Sequence, residues 1–381
     1  MYPVLPKPDT YSIIKSPGLK ILRSINTILA TSTAHLLFRR SKLLRQVELW
    51  RTHLPRVQPH YAVKANNDPM LLRWIAAAGC GFDCASIREM HDVARTGVPA
   101  DRIIYAQPCK MAADVQQANW LGVPNTVVDS PEEVEKLKKG DWSGGVLIRL
   151  LVPDAGSAQP FSRKFGAPIE WVPDILRELR AASIQHVGWS FHVGSVCSVP
   201  QQFARAIELC AEGDKIAGRP AEIVDIGGGF VPDEASFAAA ATSIQASQHL
   251  FPRSTRWIGE PGRFFCAPAV DASVKVIGKK RRVDGSGFRY TLDESIYGIF
   301  SNIPFDGFRP TFEVPGSEGR KRVRATIFGR TCDSADCIVE DAEMPELHVG
   351  DRLTVRDMGA YTIVSASEFN GFPRPQCLYE D

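Results

Sequence analysis

The sequence predicts an α/β fold, a (β/α)8 barrel followed by an all-β domain. Eight apolar, strand-like runs alternate with helix-like segments over about 220 residues, which is typical of such a barrel. After Arg263 the pattern changes to short alternating strands separated by Asp and Gly turns, which indicates a β domain. A doubly wound sheet, which does not close into a barrel, has the same alternation of strands and helices and is the alternative fold.

The domain boundaries are expected where these patterns change. Residues 1–38 contain several prolines and are predicted to form an irregular segment that packs with the β domain. Residues 39–265 are expected to form the barrel. Residues 266–381 are expected to form a sandwich-like or barrel-like β domain of ordinary size.

The barrel elements follow from clusters and periods of apolar residues. The predicted strands cover residues 60–65, 81–85, 102–106, 125–128, 145–150, 186–193, 221–226 and 256–259. A helix is predicted over 41–52, and the helices between strands are predicted over 68–78, 87–96, 112–121, 132–138, 169–182, 201–217 and 233–249. Asp68, Ser86 and Ser130 precede three of these helices as candidate N-capping residues. The strands of the β domain are expected near 269–277, 323–328 and 352–356.

Composition excludes several classes of function. The net charge of +2 gives no basic surface for nucleic acid, and no run of about 18 apolar residues predicts a membrane span. No signal peptide is expected. The nine cysteines form no CxxC pair, so we expect neither a metal site nor a disulfide framework, and we expect a cytoplasmic protein with reduced thiols.

Lys64 lies at the end of the first predicted strand, within the stretch YAVKAN (61–66). A buried lysine is costly unless it is paired or used covalently, and such lysines recur as residues that form Schiff bases. From these six residues alone, a solvated strand end is an equally good interpretation.

The loops after the last two barrel strands predict a phosphate site. Gly227, Gly228 and Gly229 follow the seventh strand, and EPGR (260–263) follows the eighth, where barrels often bind phosphate. A lysine opposite a phosphate site predicts pyridoxal phosphate (PLP). Glu260 is expected to pair with the pyridine nitrogen, which favours decarboxylation. His192 is expected to stack on the ring, with a buried core histidine as the alternative.

Taken together, the motifs resemble the eukaryotic-type ornithine decarboxylases, which are PLP-dependent enzymes with an alanine-racemase-like barrel. The matching stretches are YAVKAN (61–66), GFDCAS (81–86), RIIYAQPCK (102–110), KFGA (164–167), HVGS (192–195), VDIGGGF (224–230), EPGR (260–263), TCDSAD (331–336) and MGAYTIVSASEFNGFPRP (358–375). They occur in the family's order over nearly the whole chain.

The resemblance implies a role for each matching residue. Lys64 would bind the cofactor covalently, and His192, Glu260 and Cys332 would complete the catalytic set. The cofactor would be bound by Lys64, Asp83, Arg149, His192, Ser195, Gly227, Gly228, Gly229, Glu260, Arg263 and Tyr361. Asp306 and Asp333 would hold the distal amine of the substrate, because a desolvated ammonium needs carboxylates. An ordinary loop aspartate and an inert thiol are the alternatives for Asp306 and Cys332.

The resemblance also implies a homodimer with shared active sites. Cys332 would enter the site of the other subunit, and Lys164 and Asp336 match an intersubunit salt bridge. The implied reaction is conversion of L-ornithine to putrescine in polyamine biosynthesis.

Three departures keep other substrates open. FDGFR (305–309) replaces a Tyr-Asp-His type of loop, Glu294-Ser295-Ile-Tyr297 replaces Asp-Gly-Val-Tyr, and the tail after FNGFPRP is short. The alternatives are decarboxylation of lysine or of a modified ornithine-like amino acid, and an inactive binding protein similar to the antizyme inhibitors. An amino-acid racemase is disfavoured, because racemases of this fold place an arginine at the position of Glu260.

Overall fold

The structure is a computed structural model, and it describes residues 33–381. The strands are β1 His35–Arg39, β2 Val57–Ala62, β3 Gly81–Cys84, β4 Ile103–Tyr105, β5 Asn125–Val128, β6 Gly145–Arg149, β7 Ser157–Gln159, β8 His186–Ser190, β9 Ser195–Cys197, β10 Ile223–Asp225, β11 Arg256–Gly259, β12 Val270–Arg281, β13 Gly287–Leu292, β14 Phe312–Glu313, β15 Arg322–Phe328, β16 Cys337–Pro345, β17 Arg352–Val355 and β18 Gln376–Glu380. The α-helices are α1 Arg40–His53, α2 Pro69–Ala77, α3 Ile87–Ala94, α4 Ala112–Trp120, α5 Pro131–Lys139, α6 Val172–Ala181, α7 Gln201–Ala217, α8 Glu234–Ser247, α9 Arg263–Cys266 and α10 Asn302–Asp306.

Eight parallel strands close into a barrel in the order β10-β11-β2-β3-β4-β5-β6-β8. Strand β8 pairs with β10 and closes the ring, which confirms the (β/α)8 prediction and excludes the open sheet. The barrel interior is a small apolar cluster of Ile104, Val127, Leu147, Val187, Ile223 and Ile258. This packed interior leaves only the carboxyl ends of the strands for a site.

The first barrel strand begins and ends three residues earlier than predicted. It ends at Ala62, and residues 63–65 form a 3-10 turn that contains Lys64. The turn is fixed from the other domain, because Ala65 accepts a hydrogen bond from the backbone N–H of Tyr361 (2.9 Å) and the Asn66 side chain donates to Gly359 (2.8 Å). These long-range contacts, which no local pattern shows, override the strand propensity of the stretch.

Two of the three predicted caps are formed. The Asp68 carboxylate accepts hydrogen bonds from the N–H groups of Met70 and Leu71, and the Ser86 hydroxyl accepts from that of Glu89. Ser130 stands at the N-cap position of α5, but its side chain makes no capping hydrogen bond, so that part of the prediction is wrong. Pro131, whose ring fixes φ at the first helical position, is suited to starting this helix.

The second domain is a mixed sheet in the order β14-β17-β12-β13-β15-β16, with β1 beside β12 and β18 beside β1. Strand β1 pairs antiparallel with β12 and parallel with β18. The part of the predicted N-terminal segment before residue 33 lies outside the described residues. In the described part of the chain, no helix is long and apolar enough to cross a membrane.

Candidate active site

A cavity lies at the carboxyl end of the barrel. Its lining includes eight of the residues that the sequence analysis assigned to the cofactor: Lys64, His192, Ser195, Gly228, Gly229, Glu260, Arg263 and Tyr361. Phe161, Val196, Phe230, Phe264 and the segment Pro261–Gly262 also contribute to the wall. The barrel strands and the C-terminal domain therefore bring residues that are far apart in sequence to one place.

Lys64 is paired inside this cavity. Its ammonium Nζ lies 2.6 Å from Oδ2 of Asp83, whose side chain is almost completely buried. Burial lowers the pKa of the Lys64 ammonium, but the charges of Asp83 and Glu260 outweigh that effect and raise the pKa above its ordinary value. Lys64 is thus held as a cation by the carboxylate that orients it.

Glu260 and Asp225 form a buried pair of carboxyl groups. Oδ2 of Asp225 and Oε1 of Glu260 are buried without a hydrogen-bond partner among residues 33–381, and the backbone N–H of Gly227 donates to Oδ1 of Asp225 (2.9 Å). Burial raises the pKa of Glu260 well above its ordinary value, and Asp225 and Asp83 raise it further; burial also raises the pKa of Asp225. Two neighbouring buried carboxyl groups do not both ionise unless a cation is close to them, because their negative charges repel. This pair therefore stabilises a positive group that is brought beside Glu260.

The glycine loop comes closer to its neighbours than any side chain allows. Gly227 has φ +61°, and a Cβ atom there would lie 2.1 Å from the carbonyl oxygen of Phe191. A Cβ on Gly228 would lie 2.8 Å from the carbonyl of Glu260 and 2.9 Å from Nε2 of His192. The loop therefore packs its backbone against the cavity wall, as an anion-binding glycine loop does.

Gly227→Ala is expected to lower the free energy of unfolding by about 3 kcal/mol or more, because it adds a backbone clash to a left-handed conformation. Gly285→Ala is the matched control, since Gly285 also has a left-handed φ of +70° but has open space around it. That control should cost about 1 kcal/mol. Denaturant unfolding of both variants measures the difference, and equal losses would contradict the clash.

Arg263 faces the glycine loop across the cavity. Its Nη2 donates to the hydroxyl of Ser195 (3.1 Å), and its guanidinium lies 4.9 Å from the ring centre of Tyr361. Its Nε–H is buried and has no acceptor among residues 33–381. Tyr361 is held at φ +56°, a rare conformation for a tyrosine, by the bond from its N–H to Ala65. Arg263 thus keeps one buried donor for a ligand.

His192 is a neutral ring in this site. Burial lowers its pKa well below the ordinary value, and the charges of Arg149 and Lys64 lower it further. Its Nδ1 accepts the N–H of Gly194 (3.1 Å), so the proton lies on Nε2. The ring of Phe161 covers it at 4.7 Å between centres. A neutral, half-buried imidazole is suited to stacking on an aromatic ring.

Arg149 supplies a buried positive charge without an ion pair in the described chain. Its guanidinium lies 4.9 Å from the ring centre of Phe165. Burial lowers its pKa, which the charges of Glu260, Asp129, Asp225 and Asp83 partly offset. Its positive charge partly offsets the negative charges of the buried carboxyl groups of Asp83, Asp225 and Glu260.

Glu89, behind the Lys64–Asp83 pair, gives a test of pH dependence. Burial raises its pKa from 4.5 to about 7, although the N–H of Ala85 donates to it. Between these values the native state binds more protons than the unfolded state, so this group makes stability fall as the pH rises. The melting temperature of the wild type relative to Glu89→Gln should fall by at least about 2 °C from pH 4.5 to pH 7.5. Parallel pH profiles would contradict this; Glu135→Gln, on the exposed face of α5, is the control.

Asp306 lies next to the cavity and is bound to Arg263. Its Oδ2 is 2.7 Å from Nη1 and its Oδ1 is 2.8 Å from Nη2 of the guanidinium. The amide of Gln159 donates a third hydrogen bond to Oδ1 (3.0 Å). The sequence placed Asp306 in a substrate loop but gave no indication of the ion pair or of Gln159.

The structure does not bring Cys332 and Asp333 to this cavity. They line an open groove on the C-terminal sheet, where Cys332 is exposed and Tyr297 donates a hydrogen bond to Asp333. Asp336 is buried and accepts hydrogen bonds from Ile296 and Thr331. Lys164 is exposed beside the ring of Phe165, without a carboxylate partner in the described chain.

This site and fold define a pyridoxal-dependent decarboxylase, and the chain belongs to that family. The family's pyridoxal binding domain matches residues 40–267, and its C-terminal sheet domain matches residues 193–359.

Among individual proteins, the chain is similar to ornithine decarboxylases. It is 37% identical over 360 residues to that of Caenorhabditis elegans (89% of this chain, 85% of the relative) and 38% identical over 351 residues to that of Schizosaccharomyces pombe (88% and 81%). Among solved structures, it is similar to an arginine decarboxylase of Paramecium bursaria Chlorella virus bound to agmatine (TM-score 0.89, 31% identity, 94% of this chain and 100% of that one). It is also similar to the lysine/ornithine decarboxylase of Vibrio vulnificus complexed with putrescine (TM-score 0.86, 33% identity, 96% and 99%).

The predicted cofactor and enzyme class are therefore confirmed: the chain is a PLP-dependent decarboxylase. The residues of the cavity fit this cofactor on three counts. The glycine loop has no room for side chains, Arg263 keeps a buried N–H without an acceptor among the described residues, and the Glu260–Asp225 pair needs a cation. A phosphate and a protonated pyridine nitrogen supply these missing charges.

Three residues near the cavity were missed as site residues in the sequence. Phe161 and Gln159 lie in the segment that follows β6, where no period marks their position. Asp225 lies in the matching stretch VDIGGGF (224–230), but only the fold shows that its charge acts on Glu260.

Proposed function

We propose that this enzyme decarboxylates L-ornithine to putrescine, as the names of its relatives suggest. The observation that carries the proposal is Asp306, a carboxylate next to the cavity. Its side chain is 11% exposed and forms an ion pair with Arg263. A carboxylate in this place favours a substrate with a distal ammonium, which it can bind by a charge-assisted hydrogen bond.

When bound, PLP supplies an electron sink for the charge that remains on the α-carbon after carbon dioxide leaves. Lys64 would hold the cofactor through its amine, and Asp83, which lies 2.6 Å from that amine, would keep it oriented. Glu260 would keep a proton on the pyridine nitrogen, and the nearby charge of Asp225 would favour that positive group. The neutral ring of His192 would stack on the ring of the cofactor.

The phosphate is held by the glycine loop, Ser195, Arg263 and Tyr361 in this proposal. Gly227, Gly228 and Gly229 offer backbone donors, and Arg263 offers its buried Nε–H. Asp83 and Arg149 complete the set around the lysine and the ring.

We further propose a head-to-tail homodimer in which each cavity is completed by a second copy. Cys332 and Asp333 lie on an exposed loop outside their own cavity, which is what a shared site requires. Cys332 of the second copy would deliver the proton to the α-carbon, and Asp333 would bind the distal ammonium together with Asp306. Lys164, which has no acidic partner in the described chain, would reach Asp336 of the other copy. The proposed location is the cytoplasm, and the proposed pathway is polyamine synthesis.

Carbon dioxide release from ornithine, lysine, arginine and diaminopimelate, with the visible absorbance of the bound cofactor, tests the function. We expect kcat/KM to be highest for ornithine. A higher value for lysine would support the alternative substrate, and the absence of both turnover and cofactor absorbance would support an inactive binding protein. Cofactor absorbance without turnover would indicate a modified ornithine-like substrate.

A further inference from the structure

The loop above the cavity makes a contact with the C-terminal domain through Gln159. This residue ends β7, which forms a two-stranded ribbon with β9 and pairs in register with Ser195. The Nε2 atom of Gln159 donates to the carbonyl of Phe305 (3.0 Å) and to Oδ1 of Asp306 (3.0 Å). Both N–H groups of the amide thus donate hydrogen bonds to the end of α10.

The loop that carries the ribbon is hydrogen-bonded internally and to the segment after β8. The buried carboxylate of Asp154 accepts hydrogen bonds from the N–H groups of Phe161 (2.6 Å) and Ser162 (2.7 Å) and from the Ser162 hydroxyl (2.8 Å). The hydroxyl of Ser157 donates to the carbonyl of Val193. Gln159 therefore extends from a hydrogen-bonded loop that is joined by Ser157 to Val193, next to His192 of the cavity wall.

The end of α10 packs on the core through Ile303 and Phe308, whereas its tip is exposed. The helix has five residues and ends at Gly307 in a left-handed conformation, and the side chain of Phe305 is 74% exposed. Asp306 is fixed relative to the barrel by two side chains, Arg263 and Gln159. Arg263 also serves the cofactor side of the cavity, so Gln159 is the contact that acts on Asp306 and its loop alone.

We propose that Gln159 is a specificity-determining residue that sets the position of the Asp306 carboxylate. This inference rests on the proposed function. A carboxylate has about four acceptor sites, and Asp306 uses three of them for Arg263 and Gln159. The fourth accepts the distal ammonium of the substrate, and the amide of Gln159 fixes its distance from the reacting carbon. The clamp thereby discriminates between diamino acids that differ by one methylene group.

The test compares the PLP-loaded wild type with Gln159→Leu, which keeps the volume but has no N–H, and Gln159→Glu, which turns the donor toward Asp306 into an acceptor. Gln245→Ala is the control, because Gln245 makes a similar amide-to-carbonyl bond (2.7 Å to His53) on α8, away from the cavity. The measurements are kcat and KM for ornithine and lysine, and the dissociation constants of putrescine and cadaverine.

Both Gln159 variants are expected to reduce the ornithine-to-lysine ratio of kcat/KM by about 10-fold, within the range of one methylene. The loss should lie in KM, and the ratio of the two diamine dissociation constants should change in parallel. Unchanged ratios, or an equal loss for both substrates, would overturn the inference while leaving the proposed function intact. A wild type that turns over neither substrate would refute the proposed function, and the diamine constants would still decide the role of Gln159.

Discussion

Lys64→Ala is expected to reduce kcat/KM for decarboxylation by about 10³-fold or more, the upper part of the range for loss of one catalytic side chain. The reason is that no other amine lines the described cavity. No other residue there can therefore take over the covalent attachment of PLP or its exchange to the substrate. Steady-state carbon dioxide release and the visible spectrum of the bound cofactor measure the effect. The spectrum should change from that of a protein-bound Schiff base to that of free PLP.

Lys139→Ala is the matched control for this variant. Lys139 lies on the exposed face of α5, where it pairs with Glu135 at 3.4 Å, and its loss should leave both activity and spectrum unchanged. Near-normal product formation by Lys64→Ala would show that the lysine is a solvated strand end, as the six residues around it first allowed.

Mixing Lys64→Ala with Cys332→Ala is expected to restore activity to about a quarter of the wild-type value, although each variant alone is impaired. In a dimer with shared sites, half of a random mixture consists of heterodimers, and each heterodimer contains one intact site. Cys332→Ala alone should lose about 10²-fold, because a positioned proton donor is removed. The measurement is carbon dioxide release after the two variants exchange subunits.

A mixture of Lys64→Ala with Lys64→Ala/Cys332→Ala is the control and should stay inactive. Restoration in that mixture would point to contamination rather than subunit exchange. If the first mixture shows only the average of its two components while native mass spectrometry shows heterodimers, each subunit uses its own Cys332 and the shared site is wrong.

The barrel could be predicted because its signals are local. All eight barrel strands lie within the predicted ranges or overlap them. The reason is that short stretches of sequence are enough to identify buried strands and capped helices. Lys64 shows the limit of such windows. Its strand ends three residues early because the backbone of Tyr361, from the other domain, binds Ala65.

The site could be predicted in part, and only with the help of the resemblance. Strand-end positions indicated Lys64, Glu260 and the glycine loop, because barrels gather these positions at one face. The pairing of Asp306 with Arg263 and the clamp by Gln159 depend on how two domains meet. No periodicity or spacing in the sequence encodes that geometry.

The pairing of β1 with β18 has a consequence for synthesis on the ribosome. Arg39 and Glu380 bond across 341 positions of the chain, whereas the last barrel strand ends at Gly259. The barrel can therefore close before β18 has been synthesised. Until β18 pairs with β1, one edge of β1 is open for pairing with another nascent chain. Substitutions in β18 should thus reduce the yield of folded protein during translation more than they reduce the activity of the molecules that do fold.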